Sequence, residues 1–92
     1  MLSKKGVEMH KFYFTYGTEK QPYYGGWTEV NAPDVTLACA AFRAVHPDRT
    51  PGLLNCSSVY DEENFKKTEM YLYGNFSFFA HEVITFDVEV HG

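Results

Sequence analysis

The sequence predicts an α+β domain: a mainly antiparallel sheet of four or five strands, in the order β-β-α-β-α-β, with one main helix packed on one face. Three observations predict it. Apolar residues alternate with period two in Lys11–Gly17 and again in Glu82–Val90, the pattern of a strand. Between them, Asp34 precedes a stretch, Val35–His46, whose apolar residues recur at helical spacing and which Pro47 stops. The length, 92 residues, allows one domain and one modest core.

The elements follow in chain order. Residues 1–8 carry no periodic pattern, and codons for Lys4–Met9 can spell a purine-rich ribosome-binding sequence ahead of the Met9 codon. Met9 is therefore expected to be the natural start, with 1–8 a non-native or disordered leader and 9–92 the domain. In Lys11–Gly17, Phe12, Phe14 and Tyr16 point one way and Tyr13 and Thr15 the other. Aromatic rings on both faces predict a central strand, or one face that binds something. Thr18–Gly26 reads as a long turn whose Gly25-Gly26 can take positive φ, feeding a strand at Trp27–Asn31 and closing a hairpin.

Asp34 is the expected N-cap of the helix. Val35, Ala38, Phe42 and Val45 form the stripe expected to face the sheet, leaving Thr36, Ala40, Arg43 and Ala44 on the far side. Alanine is the best helix former, which suffices to explain that smooth face; contact with another subunit is the alternative. The loop His46–Gly52 holds two prolines and a glycine and is expected to be stiff. Leu53–Tyr60 reads as a buried third strand, with Leu54, Cys56 and Ser58 on one face and Leu53, Asn55, Ser57 and Val59 on the other. Asp61 should cap a short solvated helix, Glu62–Thr68, with i,i+4 pairs Glu62–Lys66 and Glu63–Lys67. Met70–Tyr73 and Phe76–Phe79 flank Gly74-Asn75, a two-residue hairpin signal; a loose aromatic loop is the alternative. In the last strand Ile84, Phe86, Val88 and Val90 should face inward, and Thr85, Asp87 and Glu89 should face water.

Composition removes several function classes. The net charge is −4, and the eight basic residues form no dense cluster, which argues against a nucleic-acid backbone as partner. Cys39 and Cys56 lie in no CxxC, and the four histidines are scattered, so neither a metal nor another cofactor is expected. The sequence contains no phosphate-loop, nucleophile-elbow, zinc-protease or calcium-loop motif, and a non-catalytic protein is expected. Without a signal-peptide pattern or a membrane-length apolar run, a cytoplasmic location is expected.

A small-molecule site is the sharpest expectation. Arg43 and Arg49 bracket the stiff loop beside His46, and Tyr13, Tyr16, Tyr23, Tyr24 and Trp27 lie on the first hairpin. A guanidinium fork suits phosphate, and aromatic faces stack on nucleobases. Together they outline a nucleotide-sized site. The competing explanation has both arginines paired with Asp48, glutamates or helix carbonyls, and the tyrosines in the core. A third expectation concerns Tyr71, Tyr73, Phe76, Phe78 and Phe79, too many rings to bury beside Ile84 and Phe86; exposed, they would mark an interface.

At Lys11-Phe12-Tyr13-Phe14-Thr15-Tyr16-Gly17, and again across His46–Tyr60 with Asp61-Glu62-Glu63, the chain resembles small hypothetical proteins from phages and mobile elements of gut Firmicutes. The resemblance spans most of 9–90 and carries no assigned activity. It implies a phage context in a bacterial cell, where small acidic proteins act by occupying something. The leading expectation is therefore a self-associating sponge for a nucleotide-derived immune signal. The alternatives are a protein-binding inhibitor of a host defence component, of anti-CRISPR type, and a structural or accessory protein.

Overall fold

The computed structural model describes residues 8–86. The leader expectation falls almost entirely outside them, as do Val88 and Val90. The described chain is α+β. Four strands, β1 (His10–Thr15), β2 (Trp27–Ala32), β3 (Ser58–Asp61) and β4 (Glu82–Thr85), form one sheet in the order β3-β1-β2-β4. The long helix α1 spans Val35–Val45, and two single-turn helices, α2 (Glu62–Phe65) and α3 (Glu69–Tyr73), follow β3.

The first hairpin forms as its pattern demands. β1 pairs antiparallel with β2, Phe12 opposite Val30 and Phe14 opposite Thr28, and antiparallel with β3 on its other side. β1 is thus central, which explains its rings on both faces. Phe12, Phe14, Val30 and Ala32 meet Ala38 and Phe42 of α1 in the main core, where the Phe14 and Phe42 rings stack at 4.4 Å. Asp34 caps α1, accepting the Leu37 N–H at 2.8 Å.

The ends of the predicted helix stripe depart from expectation. Val35 and Val45 are exposed, while Leu37, Cys39 and Ala41 pack beside Ala38 and Phe42. The buried face is centred on Ala38 and Phe42 alone, because the short strands give α1 something to cover only along its middle turns.

β4 pairs with β2 in parallel, Val30 opposite Ile84, so the sheet is mixed. Parallel neighbours need a long crossover, and everything from α1 to α3 supplies it. Ile84 and Phe86 pack on the main core, while Val83 and Thr85 face outward, the predicted alternation.

Two segments are corrected. The expected strand Leu53–Tyr60 shrinks to Ser58–Asp61, and Leu53, expected to be buried, is exposed. The reason lies in its neighbour: Thr15 ends β1, so residues before Ser57 have no partner strand to pair with. The bend also shifts the phase, so Val59, opposite Phe14, packs on the same core as Leu54 and Cys56. The expected Gly74-Asn75 hairpin is absent as well. Met70–Tyr73 lies within α3, which Gly74 terminates at φ 81 by donating to the Met70 carbonyl at 2.8 Å. The tight turn comes later, at Phe76-Ser77, both with positive φ (55 and 70), closed by two hydrogen bonds between Asn75 and Phe78. A four-residue apolar run cannot distinguish strand from helix by period, and glycine after such a run is equally a helix stop.

The second sheet face is not bare. Asp61 caps α2 by accepting the Asn64 N–H at 2.8 Å, and Lys66 meets Glu62 at 3.4 Å on the solvent side. Phe65 turns the other way. It is buried, with its ring 4.2 Å from that of Tyr13 and 4.8 Å from Trp27. A single apolar residue within a charged run thus closes a second, smaller core with Tyr60 and Met70 at its rim.

Candidate functional site

The residues proposed from sequence as one ligand site separate into five neighbourhoods. Tyr13 and Trp27 lie on the sheet face away from α1, where Tyr13 stacks on Phe65 and Trp27 meets Phe65 in a T-shaped contact. Tyr24 is half exposed, with its ring 5.4 Å from Phe76. Arg43 donates from Nε to Asp48 Oδ1 at 2.9 Å, a hydrogen bond that raises its pKa further. Arg49 donates from Nη1 to the Lys20 carbonyl at 2.8 Å. Each arginine thus has an internal partner, Arg43 a side-chain carboxylate and Arg49 a main-chain carbonyl of the turn after β1.

Arg49 does line a small cavity, with Lys20, Gln21, Thr50, Leu53, Leu54, Asn55 and Cys56. Its volume is about 190 Å³, short of the ~300–1,000 Å³ of sites for drug-sized ligands, and no aromatic ring lines it. A larger groove, about 780 Å³, opens between the N-termini of α1 and α2. Its charged groups are the carboxylates Asp34 and Asp61, the wrong sign for a phosphate. Among the described residues, no three His, Cys, Asp or Glu side chains gather as a metal site.

The structure does bring together Tyr16, Tyr23 and His46, with three residues the sequence reading did not single out: Thr28, His81 and Glu82. Tyr16 and Thr28 are buried and hydrogen-bonded to each other. Thr28 Oγ1 lies 2.9 Å from Glu82 Oε1, and His46 Nε2 lies 2.7 Å from the same oxygen. Proton counting orients the chain. A carboxylate only accepts and a threonine hydroxyl has one proton, so Thr28 donates to Glu82 and Tyr16 donates to Thr28. His46 donates from Nε2. Two protons converge on one carboxylate oxygen, joining the loop after β1, β2, the end of α1 and the start of β4. The Tyr23 ring covers this cluster, edge-on to His46 at 6.0 Å and stacked on His81 at 5.3 Å. Gly26 is required beside it, because a Cβ there would strike the His81 ring. Glu82 was findable: it falls in phase with Ile84 and Phe86 on the inward face, where a carboxylate needs partners.

Burial sets the remaining titrations. It drives the Tyr16 phenol well above its ordinary range, against the opposing effect of its bond to Thr28. Burial, then the nearby Glu29 charge, pushes Tyr13 up to about 12. Burial, then Cys39, pushes the Cys56 thiol up to about 11, and burial raises Cys39 as well. Both cysteines are free thiols, and they are held protonated at neutral pH.

The most prominent surface is elsewhere. From α3 to β4, Tyr71, Leu72, Tyr73, Phe76, Phe78, Phe79 and Val83 are each 46–68% exposed. The segment is not loose. Asn75 Nδ2 donates to the carbonyls of Tyr16 (3.1 Å) and Gly26 (3.0 Å), clamping the Phe76-Ser77 turn to the first hairpin. No helix of the described residues is long and apolar enough to cross a membrane. No family model, curated protein or solved structure matches the chain.

Proposed function

We propose that this domain is a non-catalytic binding protein that occupies a partner protein through the aromatic surface between Tyr71 and Val83. The observation that carries this reading is the exposure of seven large apolar residues in one short, clamped segment. Contiguous apolar patches of more than a few hundred Å² are rare on free monomers, and Tyr and Phe are enriched at the desolvated centres of interfaces. The strained turn supports it too. A non-glycine residue with positive φ costs roughly 1–2 kcal/mol, and the two that carry it here, Phe76 and Ser77, form the tip of this segment, where Phe76 is exposed.

The resemblance to phage and mobile-element proteins suggests the class of partner: a component of bacterial host defence, met in the host cytoplasm. A nucleotide sponge has less support, because the arginines and free ring faces do not converge.

The test is co-purification from a bacterial host carrying defence systems, using the protein, Phe76→Ser and Arg49→Ala. The expected result is one host protein in fixed stoichiometry, retained by Arg49→Ala and lost by Phe76→Ser. A panel of cyclic dinucleotides and ADP-ribose derivatives is the counter-test. Stabilisation of about 2.7 kcal/mol at 100 times Kd, lost in Arg49→Ala, would replace this reading with the sponge.

A further inference from the structure

We propose that the small cavity between the turn after β1 and the loop after α1 binds the phosphate group of a small phosphomonoester. The site shares no residue with the aromatic segment and stands independently of partner capture there.

The first observation is charge. Lys20 and Arg49 are the charged residues of the lining, and no carboxylate is among them. In a chain of net charge −4, that is a local reversal of sign. The protein does not neutralise it from within. Among the described residues, neither Lys20 nor Arg49 takes part in an ion pair. Asp48, the carboxylate next to Arg49 in the chain, is held by Arg43 at 2.9 Å.

The second observation is that the donors are held in place. Arg49 gives one N–H, from Nη1, to the Lys20 carbonyl. A guanidinium has five N–H groups, so most of the fork is left for a ligand. Gln21 Oε1 accepts from the Thr18 N–H at 3.1 Å and from the Ser57 hydroxyl at 2.9 Å. That assigns its oxygen and leaves its amide nitrogen as a donor. The opposite wall is a closed turn, with the Leu53 N–H on the Thr50 carbonyl at 3.0 Å. The two walls are thus tied to each other, by Arg49 to Lys20 and by Ser57 to Gln21, and little ordering is left to oppose binding.

Size and charge together name the ligand class. The cavity volume is about 190 Å³, and a water takes ~30 Å³. That is room for a tetrahedral oxyanion with a few carbon atoms, and too little for a nucleotide. A phosphomonoester carries about −1.5 to −2 charges at neutral pH, which matches two cations, and its oxygens suit the guanidinium fork. A carboxylate or a phosphodiester brings one charge only. Leu53 and Leu54 complete the lining and offer the organic part of the ligand an apolar wall.

Titration of the intact chain with glycerol phosphate, followed by amide chemical shifts at constant ionic strength, tests this. Dimethyl phosphate and acetate serve as singly charged comparators. Saturable shifts are expected for glycerol phosphate, centred on Lys20-Gln21 and on residues 49–56, with both comparators at least about tenfold weaker. Lys20→Gln and Arg49→Gln should each weaken binding about tenfold, the effect of one charge-assisted hydrogen bond. Lys20→Gln keeps the main-chain carbonyl that anchors Arg49, so it tests the charge even where Arg49→Gln loosens the loop. Lys67→Gln, an equal change in net charge outside the cavity, should leave binding intact. The proposal is overturned by the absence of saturable shifts, by shifts centred elsewhere, by comparators that bind as tightly, or by equal losses in Lys67→Gln and Lys20→Gln.

Discussion

His46 Nε2 lies 2.7 Å from Glu82 Oε1, and through that contact the last turn of α1 is tied to the edge strand β4. The same oxygen receives the proton of the buried Thr28, whose hydroxyl is bonded in turn to Tyr16. Glu82 is therefore a junction of the fold, and its loss strands two donors at once.

The first prediction follows from that geometry. Glu82→Ala should cost about 2–3 kcal/mol, the penalty for leaving buried donors unsatisfied. Glu82→Gln keeps an acceptor oxygen and should lose less than half as much. Urea unfolding of both variants checks this; equal losses would show that the packing of the side chain, and not its acceptor oxygen, matters.

Phe65 is the centre of the smaller core. Phe65→Ala should destabilise by about 3–5 kcal/mol, although it sits in a helix whose other side chains are solvated. Glu63→Ala, on the exposed side of the same turn, should change stability by less than ~0.5 kcal/mol. Thermal unfolding of the pair distinguishes a core anchor from a helix that merely rests on the sheet.

The Phe76-Ser77 turn stores strain that glycine relieves. Ser77, at φ 70, becomes unstrained in Ser77→Gly, which should raise stability by about 1 kcal/mol while leaving partner capture intact. A fall in the melting temperature would mean that the serine side chain supports the turn.

Gly26→Ala should destabilise by about 1–3 kcal/mol, since the added methyl would enter the space of the His81 ring. Gly26→Ala combined with His81→Ala should recover part of that loss, measured as a double-mutant cycle.

Alkaline pH should unfold the protein. Tyr13 is raised from 10.0 to about 12 in the folded state, and Tyr16 is raised also. The folded state therefore holds these protons more tightly than the unfolded chain. The stability they contribute is present below the unfolded value and is lost as pH rises from about 10 towards 12. Tyrosinate absorbance of these two residues should appear together with loss of structure; their ionisation near 10 in a chain still folded would contradict the burial that raises them.

Much of the frame was legible locally. The alternation in Lys11–Gly17, the Asp34 cap, the Pro47 stop and the inward phase of Ile84 and Phe86 each depend on neighbours a few residues away. The errors share one cause. Leu53–Ser57 has strand composition but no strand beside it, and Met70–Tyr73 is too short for its period to be decisive. The proposed ligand residues failed to converge for a related reason: they were grouped by closeness on the first hairpin, although the alternation already sends Tyr13 and Tyr16 to opposite faces.

The sequence alone determined the hairpin, the main helix, its cap and the faces taken along β1 and at Ile84 and Phe86, because those depend on backbone periodicity and local hydrogen bonds. Only the tertiary structure decided that β4 runs parallel to β2, that Phe65 covers the second face, and that Tyr16, Thr28, His46 and Glu82 share one chain of hydrogen bonds. Those contacts join residues up to 54 positions apart. They exist only once the sheet has set its register and burial has left each polar group to find a partner inside the protein.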